Sequence, residues 1–343
     1  MNTYALLKIN SLIKNHRIKF LGLWLLNILN KRTISVYFDP VLACNLRCKM
    51  CYFSDAERIR SNKKGIINEE DLNFIAKALF KNALKLQVGC GAEPTLYKNV
   101  EKVFSLGKTY GVPYMSLTTN GNLLTEEKIK QLCLSGLDEF IISLHGVTKK
   151  TYEFFMQGAD YKTFLTNLKL ISEEKKNYPN LKLRINYTFN QDNFEELKDF
   201  FTVFKDISID VLQLRPIRKL GNSEYRNFDL IPLESKYSSV LRKIKEEAKK
   251  RGITLLSDEK LNTNEGGNSN SASNQSYMVE YTYCYISPQH CWQNDFDFRT
   301  ETFAQWSKRT HWKRMIFGNI FKSKKEIQKE LRSGMLNYSV EIN

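Results

Sequence analysis

No stretch of this 343-residue chain is long and apolar enough to span a bilayer. Its most hydrophobic run, residues 20–29, is ten residues long and already includes Gly22 and Asn27, whereas a spanning helix needs about twenty. Small residues suited to a signal-cleavage site are missing as well, because Asn30-Lys31-Arg32 follows the run, which argues against a leader peptide. Acidic side chains are absent from residues 1–38, which carry six Lys and Arg. Cysteines number seven, and an odd count in a long chain without a leader does not suit a disulfide framework. A structural zinc site draws four ligands from two close pairs. Here only Cys48 and Cys51 form such a pair, and no His follows within a loop's reach.

What is present describes an ordinary globular protein with unusual ends. The hydrophobic fraction is 42% and the charged fraction 26%, enough for one large domain and an accessory piece. The net charge is +15, and +13 of it sits in residues 1–38 and 299–332. The basicity therefore belongs to appendages and not to the central body. Near the N-terminus, apolar residues at 6, 9, 12 and 13 precede the run at 20–29, as on one helical face. Two readings follow: a helix packed across an open end or the bottom of the body, or an interfacial helix with its cations at anionic headgroups. Nucleic-acid binding is not expected, because no base-stacking pattern accompanies the cations.

The densest chemistry is Cys44-Asn45-Leu46-Arg47-Cys48-Lys49-Met50-Cys51-Tyr52, directly after the strand-like Thr33-Ile34-Ser35-Val36-Tyr37-Phe38-Asp39-Pro40. Four thiolates usually hold a cubane iron–sulfur cluster, so three in one loop leave one iron open to bind and reduce something. Arg47 and Lys49 between them are expected to favour the thiolates. Beyond this loop the chain alternates strand and helix. Strands are predicted at 86–90, 113–119, 139–145, 181–189 and 211–214, with a short one at 253–256. Helices are predicted over 68–83, 98–110, 126–134, 150–176, 194–204 and 233–251. Successive βα units give a parallel sheet with right-handed crossovers.

The C-x3-C-x2-C spacing resembles that of the radical S-adenosylmethionine (radical SAM) superfamily, over roughly residues 33–258. The resemblance implies an α/β fold, a partial (β/α)6 TIM-type barrel. It would carry an N-terminal amphipathic helical extension (1–32), a polar linker (259–276) and a small C-terminal accessory region (277–343). It implies that Cys44, Cys48 and Cys51 hold a [4Fe-4S] cluster, with S-adenosylmethionine chelating the fourth iron. One electron then yields methionine and a 5′-deoxyadenosyl radical that abstracts hydrogen from a substrate. An external one-electron reductant, flavodoxin- or ferredoxin-like, is implied, as is a reducing cytoplasm.

Further residues enter on the same footing. Gly89-Cys90-Gly91-Ala92-Glu93-Pro94 resembles the family's Gly-Gly-Glu-Pro segment, so Gly91, Ala92, Glu93 and Pro94 are expected at the methionyl ammonium, with Ala92 replacing the second glycine. Asn120 lies in the familiar Thr118-Thr119-Asn120-Gly121. Ser143 and His145 stand where the family often has Ser and Asp near the ribose, and His145 reads equally as a packing or capping residue. Arg184 is expected either at the methionyl carboxylate or in an internal salt bridge, and Arg215 on the substrate side. Met50 replaces the aromatic residue that the family sets against adenine, leaving Tyr52 as a partial substitute. Cys90 and Cys133 read as buried hydrophobes.

The C-terminal order of Cys284, Cys291, Gly318-Asn319-Ile320 and Glu326-Ile327 is similar to SPASM-like auxiliary extensions. Two cysteines cannot close a second four-iron cluster, so a degenerate extension is expected. Three functions stand open: a radical SAM enzyme modifying a peptide or protein; one acting on a membrane-associated lipid or saccharide precursor, reached through residues 1–32 at the inner membrane face; or a non-catalytic iron–sulfur or zinc module.

Overall fold

Strands rich in Ile, Val, Leu and Phe on one face, and polar on the other, form the frame of the computed structural model, which describes residues 4, 9–10, 12–61, 65–261, 278–330 and 341–342. Helix α1 (His16–Ile28) leads to β1 (Ile34–Phe38). Then come α2 (Glu69–Leu79), β2 (Ala83–Val88), α3 (Val100–Thr109), β3 (Met115–Thr119), α4 (Glu126–Leu134) and β4 (Glu139–Leu144). After them follow α5 (Lys149–Phe155), α6 (Tyr161–Glu174), β5 (Lys182–Phe189), β6 (Val211–Pro216), α7 (Glu234–Lys250) and β7 (Thr254–Ser257). The strands run β1 to β7 side by side and parallel, and the sheet ends without closing. This is the expected partial barrel.

The helices begin where the sequence offers caps. The side chains of Asn68, Thr125, Thr148 and Asp160 each accept a backbone N–H from the first turn that follows, satisfying donors that a helix start leaves orphaned. The cap at Asp160 also explains a correction. The helix predicted over 150–176 is two helices, broken at Gly158, whose φ of +87° suits glycine. Residues 194–204 form a six-residue 3₁₀ turn before a short α-helix, Phe200–Val203.

The sequence reading missed β8 (Tyr283–Ile286), which pairs in parallel with the outer edge of β1. The C-terminal region thus extends the barrel sheet, and its Trp292, Phe296, Phe303, Trp306 and Trp312 rings pack as one cluster behind it. Here lie α8 (Phe303–Arg309) and α9 (Trp312–Gly318). Residues 341–342 form β9, antiparallel to β7. The linker predicted at 259–276 falls mostly outside the described residues.

At the N-terminal ends of the strands, Tyr4 packs with Tyr114, Val211 and Leu256. Its hydroxyl donates to Glu139, the first residue of β4. Tyr4 thus lies at the bottom of the barrel, and most of residues 1–11 fall outside the described residues. The catalytic end of such barrels is the other one.

Candidate active site

Directly after β1, a buried carboxylate fastens the top of the barrel. Asp39 accepts the Cys90 N–H at 2.7 Å on Oδ1, and the Gly91 N–H at 3.0 Å and the Tyr285 hydroxyl at 2.8 Å on Oδ2. Asp39 therefore holds the turn after β2, with help from β8. Sequence reasoning passed over it, taking Asp39-Pro40 only as the end of a strand.

Cys44, Cys48 and Cys51 follow on a loop pinned from two sides. The Arg47 N–H reaches the Gln157 carbonyl, the Lys49 N–H the Phe155 carbonyl, and the Tyr225 N–H the Lys49 carbonyl, each at 2.9 Å. The three cysteines are half-buried and within electrostatic range of one another. Burial pushes the Cys44 thiol up to about 11, the Leu46 N–H opposing it and Glu93 and Cys51 adding to it. Cys48 is raised for the same leading reason. The expected help from Arg47 and Lys49 is minor. The Arg47 guanidinium bonds the carbonyls of Cys44 and Leu46, and Lys49 pairs with Glu224 at 2.5 Å. The sulfurs of a metal centre bind as thiolates, so bound metal would supply the stabilisation that Arg47 and Lys49 do not.

The segment after β2 wraps against this loop. Gly89 has φ +84°, and a Cβ there would lie 2.2 Å from the Thr118 carbonyl oxygen, so only glycine fits. The Tyr52 hydroxyl donates to the Gly91 carbonyl, and a Cβ on Gly91 would sit 2.7 Å from that hydroxyl oxygen. Gly91→Ala is accordingly expected to cost about 1–3 kcal/mol through overpacking. Adding Tyr52→Phe should restore most of the loss, as thermal melts of the single and double variants will show.

Glu93 is 2% exposed. Its Oε1 accepts the Thr95 N–H (3.2 Å), the Thr95 hydroxyl (2.6 Å) and the Thr119 hydroxyl (2.6 Å), and its Oε2 accepts the Asn120 N–H (2.8 Å). Burial raises the carboxyl, and these donors oppose the rise. A carboxylate oxygen has room for two donors or more, so Oε2 keeps capacity for an ammonium group. The Asn120 amide reaches Asn45 Oδ1 at 2.8 Å, within the cysteine loop. Pro94 opens a 3₁₀ turn, and Ala92 is half-buried beside it. Met50 is buried, and its sulfur lies 3.1 Å from the Asn190 amide nitrogen.

The remaining predicted residues divide by height in the barrel. Ser143 pairs in register with Asn186, and His145 lies just past the end of β4. Its imidazole is held down to about 4 by burial first and then by Arg215, and its Nδ1 is buried without a hydrogen-bond partner. Arg215, fifth of six residues in β6, shares this upper level. Arg184 does not. Third in an eight-residue strand, it bonds Asn186 at 2.9 Å and Gln213, and lies near Glu139 and Tyr4. These hydrogen-bond partners are neutral amides and not the carboxylate of an internal salt bridge, and a place near the start of the strand sets Arg184 below the upper rim. Cys133 is buried as expected, but Cys90 is exposed.

These residues present three sulfur donors, a carboxylate with spare capacity, a turn closed to any side chain at Gly91 and an orphaned imidazole nitrogen. No trio of His, Cys, Asp or Glu among the described residues converges on a single ion. The donor set fits an iron–sulfur cluster with one iron lacking a protein ligand, and fold and site together are those of an open α/β barrel with a three-cysteine loop at its upper rim.

Residues 40–204 match the family model of the radical SAM superfamily. The chain carries a radical SAM domain, and that family uses a [4Fe-4S] cluster and S-adenosylmethionine. A protein of Saccharolobus solfataricus named probable GTP 3′,8-cyclase is 27% identical over 217 residues, 62% of this chain and 64% of that protein. The match thus spans less than two thirds of the relative. The SuiB structure from Streptococcus suis bound to S-adenosylmethionine covers 87% of this chain and 71% of its own, at TM-score 0.59 and 16% identity. SuiB bound to the precursor peptide SuiA covers 89% and 71%, at 0.60 and 15%. These likenesses show a shared fold.

Proposed function

We propose that this enzyme removes hydrogen from a peptide or protein substrate that approaches between the cysteine loop and the segment after β6. The cofactors supply the electron and the 5′-deoxyadenosyl group that takes the hydrogen, and the protein positions them. In this reading Cys44, Cys48 and Cys51 hold three irons. Glu93 Oε2 and the main chain of Gly91 and Ala92, shaped by Pro94, receive the methionyl ammonium. Asn120 ties that turn to the cysteine loop. Ser143 and the neutral His145 meet the ribose, the ring of Tyr52 lies along the adenine, and Arg215 meets the substrate. Residues 277–343 are read as a degenerate SPASM-like region without a second cluster. In support, Cys284 is buried in β8, and the Cys291 sulfur lies 3.4 Å from the Phe296 carbonyl oxygen.

The observation that carries the substrate class is an open cleft of about 730 Å³ lined by Ser54, Asp55, Glu57, Arg60, Glu224 and Arg226, among others. Its charges are mixed, with three acids against two arginines. An extended peptide can answer both signs, whereas a triphosphate would meet Asp55 and Glu57 beside a Glu224 already paired with Lys49. GTP is the second reading, favoured by the name of the relative from S. solfataricus. Radical SAM enzymes draw on an external reductant, and a flavodoxin- or ferredoxin-like protein is proposed for that role.

The test is anaerobic. Reduced protein with S-adenosylmethionine is offered GTP or peptides encoded beside its gene, and 5′-deoxyadenosine is measured with substrate masses. The peptide reading expects a peptide-dependent rise in 5′-deoxyadenosine and a modified peptide. A rise with GTP alone, and a new nucleotide product, would replace it with the second reading.

A further inference from the structure

Helix α1 wears its polarity inside out. Its buried side carries His16, Lys19 and Asn27 along with Phe20 and Leu23. Its exposed side carries Ile18, Leu21, Leu25 and Ile28, with Leu26 and Leu29 alongside, all 42–64% exposed. The first four follow i, i+3, i+7, i+10, a continuous stripe along one face. A helix at home in water would show the reverse arrangement.

The stripe does not end with α1. Trp24 packs against Phe317 at 5.0 Å between ring centroids, and Phe317 against Phe321 at 5.4 Å. Phe317, Phe321 and Met315 are themselves exposed. Of the 18 large hydrophobic side chains exposed among the described residues, 11 lie in segments 9–29 and 315–321. Singly scattered apolar residues are normal, but a contiguous patch of this kind marks an interaction surface.

Beside the patch, a cleft of about 460 Å³ opens between the end of α1 and α8–α9. Its lining includes Lys31, Lys308, His311, Lys313 and Arg314, and no acidic residue. Two copies of this chain joined on the same face would bring these cations together. The complementary partner is apolar in its middle and anionic at its margin.

We propose that the exposed faces of α1 and α9, with this basic cleft, dock the enzyme on an anionic lipid bilayer. Docking is parallel to the surface. No helix among the described residues is long and apolar enough to cross a membrane, and the 13 residues of α1 span only about 20 Å. The surface includes C-terminal elements that the reading of residues 1–32 alone did not contain. The end of α1 precedes β1, and Asn82, in the cleft lining, precedes β2. Both lie at the end of the barrel opposite the cysteine loop. The catalytic mouth therefore does not open onto the docked face, and the inference stands apart from the substrate reading.

The test is sedimentation of the full-length protein with vesicles of phosphatidylcholine alone or mixed equally with phosphatidylglycerol. The wild type should sediment with the anionic vesicles and stay largely free of the neutral ones. Leu25→Asp with Ile28→Asp, and separately Lys308→Glu with Lys313→Glu and Arg314→Glu, should each weaken that binding by about tenfold or more. All five side chains lie at or near the surface, and circular dichroism and thermal melts verify that each variant folds. Failure of the wild type to bind anionic vesicles would overturn the proposal, as would binding that neither set of changes weakens. A concentration-dependent dimer in light scattering, abolished by the Leu25 and Ile28 changes, would assign the patch to a second copy instead.

Discussion

Cys48→Ala should leave a folded protein without its brown chromophore. Iron and sulfide content should collapse after anaerobic reconstitution, and 5′-deoxyadenosine release should fall by at least ~10³-fold, since the chemistry is the cofactors'. The loop itself should survive. Its anchors to Gln157, Phe155 and Tyr225 are main-chain bonds, as is the 2.9 Å bond from the Cys51 N–H to the Cys48 carbonyl. Cys90→Ala and Cys291→Ala, run alongside, should retain iron, because neither belongs to the trio. A variant lacking Cys48 that still binds a full cluster would remove that residue from the ligand set.

Glu93→Ala should be the most damaging change that touches no sulfur. It strips four donors of their acceptor: the N–H and hydroxyl of Thr95, the Thr119 hydroxyl and the Asn120 N–H. Each buried donor left without an acceptor costs about 1–3 kcal/mol, so its melting temperature should drop sharply. Glu93→Gln separates binding from folding. Its amide oxygen can still serve Thr95 and Thr119, but its NH₂ then faces the Asn120 N–H, at a cost of about 1–3 kcal/mol. With no carboxylate left for an ammonium, affinity for S-adenosylmethionine should fall about tenfold or more, equivalent to roughly 1.4 kcal/mol. Dialysis binding on protein shown to be folded by thermal melts checks both parts. Unchanged affinity in the Gln variant would restrict Glu93 to holding the turn.

The parts of this site that were legible in the sequence are local ones. The cysteine spacing lies within nine residues, and the period of the strands placed their ends, so Glu93, Asn120 and His145 could be assigned to the upper rim. The links that hold the rim together were not legible. Asp39 reaches Cys90, Asn45 reaches Asn120, and Met50 meets Asn190 across 51, 75 and 140 positions, and no short-range pattern encodes such pairs. Strand β8 was hidden for the same reason: Tyr283-Cys284-Tyr285-Ile286 alternates like an edge strand, but its partner β1 lies far back in the chain. For Arg184, alternation fixed the face it shares with Asn186, yet its place near the start of β5 decides its partners. The break at Gly158 was available in principle, since Gly158-Ala159-Asp160 offers a stop and a cap in three residues.

The account rests on one iron that no side chain of the protein occupies. Electron paramagnetic resonance of the anaerobically reconstituted, dithionite-reduced protein tests it directly, recorded with and without S-adenosylmethionine. A reduced four-iron signal whose g-values shift when S-adenosylmethionine is added is the predicted result. Protein that reconstitutes with zinc, or a four-iron signal that S-adenosylmethionine leaves untouched, would contradict it.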